Sequence, residues 1–206
     1  MTVRSTSSDE IAEFLVHIGR SSRGEDMRSD LTAAQWTCLR FFSRANKLSR
    51  TPSAFASFQA TTRGTATQTI KILESKGLLL RYRSDLDGRS VRLEITVLGL
   101  EILNSDPLAD LISVINVLRL KEQTAFLATL SDLSITLAQM KGRQTFGTCE
   151  ECIHYVSILG AADYCACIAA ELAPVDIGKI CVNFGAAGVV QSPPIPLIEI
   201  NKGRAL

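Results

Sequence analysis

The sequence predicts a mainly helical chain carrying one small β-ribbon, followed by a small cysteine-rich C-terminal module. Three observations predict it. Apolar residues recur at helical spacing through most of the chain up to Met140. A pair of strand-like segments, Leu78 to Arg83 and Ser90 to Ile95, interrupts them, and the Asp87-Gly88 pair between the two is a hairpin signal. Five of the six cysteines fall between Cys149 and Cys181.

The elements follow in order. Ile11, Phe14, Leu15 and Ile18 form one stripe of a helix over residues 9–20, which Ser-Arg-Gly-Glu-Asp ends. Thr32 suits the N-cap of a second helix from Ala33 to Asn46. Thr51-Pro52-Ser53 opens a short third helix to about Phe58, with Thr as cap and Pro where its missing donor costs nothing. After a turn at 59–62, a fourth helix runs from about Arg63 to Gly77, the expected C′ glycine. Its apolar stripe is Ala66, Ile70 and Leu73, which leaves hydroxyls, Gln, Arg and Lys to the outside. The ribbon follows, and Thr96 then caps a helix through Leu103. From Asp106-Pro107 onward, Leu108, Leu111, Ile115 and Leu118, then Phe126, Leu130, Leu133, Leu137 and Met140, alternate at steps of three and four. That is the pattern of a helix seam buried against a partner. Beyond Gly142 the periodicity fades. The chain divides into residues 1–142, a cysteine-rich extension at 143–184, and an extended tail at 185–206.

Composition narrows the function. With 46% hydrophobic and 21% charged residues the chain can bury a core, and its net charge is only +1. That charge is uneven: Thr61 to Arg92 holds seven basic residues against three acidic ones, while the last sixty residues lean acidic. A helix faced with short hydroxyls, Gln, Arg and Lys, next to an Arg-bearing ribbon, suits the grooves of double-stranded DNA. No apolar run reaches the ~20 residues that cross a bilayer, and no secretory signal opens the chain, so the expectation is a cytoplasmic protein with no membrane partner. In that reducing setting, clustered cysteines point to metal or redox chemistry before structural disulfides.

Several segments together resemble the MarR family of winged-helix transcription regulators. They are Leu31-Thr32-Ala33-Ala34-Gln35-Trp36, Thr51 to Ala56, Thr62 to Thr69, Leu73 to Leu78, the wing Arg83 to Ser90, and Leu93 to Gly99. The resemblance spans about residues 9–142. It implies a winged helix-turn-helix in an intertwined helical homodimer, clasped through its N- and C-terminal helices on a pseudo-palindromic operator. Phe146-Gly147-x-Cys149-x-x-Cys152-x-His154, then Cys165, Leu172 and Ile180-Cys181, resembles a cysteine-bearing extension of some such regulators. It implies Cys149, Cys152, Cys165 and Cys181 as ligands.

Within the DNA-reading unit, Arg63 and Gln68 are the candidates for base edges, since Arg suits guanine and Gln adenine. Thr61, Thr62, Thr65 and Thr67 would give short hydroxyl bonds, and Lys71 would lie near the backbone. Thr51 and Ser53, at a helix N-terminus, suit phosphate capture. In the wing, Arg89 would enter the minor groove with Asp87 or Asp85 holding its guanidinium, and Arg81 and Arg83 would flank the phosphates.

Three chemistries compete for the cysteines. Cys-x-x-Cys brings two thiolates to one metal centre, but the other intervals, x12 and x15, are dispersed. An iron–sulfur cluster accommodates separated ligands, a structural zinc site prefers two close pairs, and thiol–disulfide switching needs neither. Cys167 is a spare thiol beside Cys165, His154 a neighbour of the site, and Cys38 a small buried hydrophobe. The leading expectation is a regulator tuned by an iron–sulfur cluster. A zinc brace and a repressor responding to a phenolic or drug-like small molecule are the alternatives. A thiol–disulfide oxidoreductase using Cys149 and Cys152 is disfavoured, because the pair lacks a βαβ context, and no enzyme activity is expected.

Overall fold

The computed structural model describes residues 7–22, 30–83, 91–157 and 162–186. Helix α1 (Ser8–Ser21) is capped by the Ser7 hydroxyl, which accepts from the Asp9 amide. Thr32 opens α2 (Ala33–Arg44) through a reciprocal box: its hydroxyl accepts from the Gln35 amide at 3.4 Å, and Gln35 Oε1 accepts from the Thr32 amide at 3.0 Å. The sequence carries this helix to Asn46, yet it stops at Arg44. Ala45 turns extended and forms an isolated parallel bridge with the distant Ile180, whose backbone bonds to the Arg44 carbonyl and the Asn46 amide.

Helix α3 (Pro52–Phe58) has Thr51 as N-cap and Pro52 in its first turn. Helix α4 (Arg63–Ser75) is capped by Thr62 and closes at Gly77, whose φ of +69° is the left-handed conformation that glycine adopts without strain. Strands β1 (Leu79–Arg83) and β2 (Val91–Ile95) pair antiparallel, Leu79 opposite Ile95 and Arg83 opposite Val91. The hairpin turn, with Asp85, Asp87, Gly88 and Arg89, lies outside the described residues. Thr96 caps α5 (Val97–Leu103) as expected, accepting from the Gly99 amide at 3.0 Å.

The core lies among these elements. Phe41, Phe42 and Phe55 stack with ring centroids 5.2 to 5.8 Å apart, over Leu39, Ile70, Leu73, Leu78 and Leu93. Truncating one such ring to Ala costs about 3–5 kcal/mol in a packed core. The Arg40 guanidinium grips Asp106 with two bonds of 2.6 and 2.5 Å and ties α2 to the turn after α5.

The expected C-terminal seam is two helices, α6 (Leu108–Asn116) and α7 (Leu120–Met140), separated at 117–119. No residue of α1, α6 or α7 is buried within the single chain. Phe14, Val114, Leu127, Leu133 and Met140 all face outward.

After Gly142 the chain folds back. A 3₁₀ turn (Cys149–Glu151), strands β3 (Tyr155–Val156), β4 (Tyr164–Cys165) and β5 (Ala170–Glu171), and α8 (Pro174–Ile177) make a small module. Its three-stranded sheet runs in the order β3-β4-β5, all antiparallel. The module seats on the first domain: Ile180 and Val182 pack against the main core, and Phe146 meets Phe58 edge-on at 5.3 Å. Gly185 belongs to this module, not to the tail, because its carbonyl accepts from Ile153 at 2.9 Å. The tail from residue 187 lies outside the described residues.

Candidate nucleic-acid interface and cysteine site

Helices α3 and α4 meet across the tight turn at 59–62, where Ala60 takes a positive φ of 52°. The buried stripe Ala66, Ile70 and Leu73 fixes the rotation of α4 on the core. Ser53, Thr62, Arg63, Thr65, Gln68 and Lys71 are therefore exposed, while Thr51, Thr61 and Thr67 are half-buried. Two of the hydroxyls already have structural work. Thr51 Oγ1 accepts from the Ala54 amide at 3.1 Å, and Thr62 Oγ1 accepts from the Thr65 amide at 3.1 Å while sharing a 2.9 Å bond with the Thr65 hydroxyl. These caps orient the first turns that Arg63 and Ser53 project from.

The ribbon departs from expectation at Arg81. Its guanidinium is paired with Glu74 of α4 by bonds of 2.7 and 2.9 Å, and that bond holds the guanidinium above its ordinary pKa. Arg81, expected to flank phosphates, is thereby also a brace between the ribbon and α4. Arg83 is exposed at the far end of β1. Arg92 donates to the Lys47 and Leu48 carbonyls at 3.1 and 2.7 Å, so it is a second brace. Asp87 and Arg89 lie outside the described residues.

One basic residue escaped the sequence reading. Arg143 and Gln144, at the start of the extension, line the same recess as Ser53, Thr61 and Arg63. No motif marks them. Only the fold-back of the chain after Gly142 brings them there.

The cysteine module gathers Cys149, Cys165 and Cys181 as buried thiols, with Cys152 half-buried beside them. Burial pushes the Cys149 thiol up to about 11, and the neighbouring Cys181, Cys165, Cys152 and Asp176 add to the shift. Burial also raises Cys181, opposed by hydrogen bonds from Asn46 and the Asn183 amide. The four sulfurs thus share one neighbourhood. Two of them accept backbone N–H bonds: Cys181 Sγ from Asn183 at 3.3 Å, and Cys152 Sγ from Gly185 at 3.4 Å.

Among the described residues, however, no three His, Cys, Asp or Glu side chains form a group able to hold a metal ion. Cys167 is exposed, which separates it from buried Cys165. The His154 carbonyl accepts from the Ala166 amide at 2.8 Å, and its ring lies against Gly185. Gly147 is required by packing, since a Cβ there would stand 2.6 Å from the Phe184 ring. Cys38 is fully buried in α2, and burial alone raises its thiol pKa. No helix among the described residues is long and apolar enough to cross a membrane.

Known proteins resemble the first part of this chain. Residues 29–90 match a model of the MarR family. The fold superposes on MepR of S. aureus in its DNA-binding conformation with a TM-score of 0.55. That match has 18% identity and covers 64% of this chain and 99% of that one. A MepR mutant from a multidrug resistant S. aureus clinical isolate aligns with a TM-score of 0.53 and 18% identity, over 65% of this chain and 99% of the other. No curated protein matches the chain by sequence. The winged-helix fold is therefore shared, and neither aligned structure accounts for the rest of the chain.

Proposed function

We propose that this chain is a MarR-type transcription regulator that binds a pseudo-palindromic double-stranded operator as a homodimer. The observation that carries the reading is the exposed face of α4. Arg63, Thr65, Gln68 and Lys71 stand together on a helix whose opposite side is locked into the core. The match of residues 29–90 and the resemblance to a MepR structure in a DNA-binding conformation support it. Helix α4 enters the major groove, with Arg63 and Gln68 on base edges and the hydroxyls and Lys71 on phosphates. The wing follows the adjacent groove. The outward apolar residues of α1, α6 and α7 favour a second copy, because patches of this kind are unfavourable in water.

The cysteine module is read as an iron–sulfur site held by Cys149, Cys152, Cys165 and Cys181. Its donor set fits: four thiols share a neighbourhood, and two accept backbone N–H bonds. The spacing of the four cysteines, one close pair followed by intervals of x12 and x15, suits a cluster whose corners are separated. Such a unit supplies one-electron redox chemistry and sensitivity to oxygen or iron supply. The chain's own part is to bury three of the thiols, restrict water and direct N–H groups at the sulfurs.

Selection of bound fragments from random duplex DNA tests the regulator, and iron and sulfide analysis of protein prepared without oxygen tests the cluster. An enriched inverted repeat, with iron and sulfide bound, is expected. No enrichment contradicts the first reading, and stoichiometric zinc without iron contradicts the second.

A further inference from the structure

Between α2 and α3 the chain runs Ala45-Asn46-Lys47-Leu48-Ser49-Arg50-Thr51. Asn46 and Ser49 are buried there, at 3% and 0% exposure. Polar groups so placed require partners, and these find them in each other and in the cysteine module. Asn46 Oδ1 accepts from the Ser49 amide at 2.9 Å and from its hydroxyl at 2.7 Å. Ser49 Oγ accepts from the Val182 amide at 2.7 Å. The Asn46 side chain also lies near the Cys181 sulfur.

The backbone repeats the link. Asn46 N donates to the Ile180 carbonyl at 3.0 Å, and Ile180 N donates to the Arg44 carbonyl at 2.9 Å. The last cysteine therefore sits on a segment fastened to this loop by side chain and main chain together.

The other end of the loop belongs to the reading unit. Thr51 N donates to the Ser49 carbonyl at 2.8 Å, and Thr51 then caps α3. The Arg50 carbonyl accepts from the Leu93 amide of β2 at 2.9 Å. A shift of Val182 must either move Ser49 or leave a buried hydroxyl unpaired, and the second is costly in a low-dielectric interior.

We propose that Asn46 and Ser49 are positioning residues that couple the cysteine site to the DNA-reading helices. The proposal rests on reading Cys149, Cys152, Cys165 and Cys181 as one site. With Cys181 held in that site, segment 180–182 fixes Ser49, the Thr51 cap and the root of β2. With Cys181 released, the segment loosens and the start of α3 loses its anchor.

The test is a cycle of operator titrations on the full-length chain at one salt concentration, using Cys181→Ser, Ser49→Ala and the double variant. In the parent chain, Cys181→Ser changes operator affinity by at least about fivefold, the lower end of couplings between sites. In the Ser49→Ala background the same substitution changes it by less than about twofold. An equal change in both backgrounds overturns the role of Ser49 and leaves cysteine sensing standing. No change in either overturns coupling and sensing together. Iron and sulfide content is read separately, so the cluster assignment can fail without affecting the cycle.

Hydrogen exchange supplies a second readout that needs no change at Ser49. On Cys181→Ser in the parent chain, amide protection falls at residues 46–55. A loss confined to residues 143–186 overturns the proposal.

Discussion

Gln68 and Lys71 stand one helical step apart on α4, yet their substitution has different signatures. On the proposed reading, Gln68→Ala should remove a base contact, cost about 1–3 kcal/mol of operator affinity and relax preference at one base pair. Lys71→Ala should remove a phosphate contact, weaken all sequences alike and lower the salt slope by about one unit. Titrations across salt concentration, on operator and scrambled duplex, separate them. The thiols differ in the same way. Cys38 is fully enclosed and its pKa is raised, so at neutral or mildly alkaline pH it stays a protonated, unreactive thiol. Cys167 is exposed. An alkylation time course followed by mass spectrometry should label Cys167 first, and Cys38 only on global unfolding. Early labelling of Cys38 would contradict the burial.

Among the elements, those built on local chemistry were legible in the sequence. Thr32, Thr51 and Thr96 cap helices where expected, and Gly77 ends α4, because caps and left-handed glycines depend on immediate neighbours. What failed depends on distant partners. Helix α2 was overrun by two residues because Ile180 captures its end. The Arg81–Glu74 pair is another distant contact that nothing in the sequence signals, since Glu74 stands on another element. The partly exposed Arg81–Glu74 pair sits in water, so Arg81→Ala should cost at most about 1 kcal/mol of stability. It should also leave the salt slope of operator binding nearly unchanged, unlike Lys71→Ala. A slope reduced by a full unit would return Arg81 to the phosphates. The module's small sheet was not foreseen, since two-residue strands carry no periodicity. Gly147→Ala drives a methyl into Phe184 and should destabilise the module by about 1–3 kcal/mol, seen as early loss of exchange protection at residues 147–186.

At the scale of the whole molecule, helices α2 to α5 and the ribbon adjoin two further structures. One is the set of outward apolar helices α1, α6 and α7, and the other is the cysteine module seated on the loop before α3. Leu133 and Leu137 lie one turn apart on α7, 50% and 52% exposed, which is high for leucines on a long helix seam. Leu133→Asp with Leu137→Asp should leave the core intact and shift the chain to a monomer that binds operator weakly. Retention of the dimer would place the contact elsewhere. The most direct measurement is the mass, in solution, of the complex between the parent chain and a selected inverted-repeat duplex, beside the same duplex scrambled. Two chains per duplex, with half-sites one turn of B-DNA apart and binding lost on scrambling, is the expected result. A single chain on either duplex, with equal affinity for both, would contradict it.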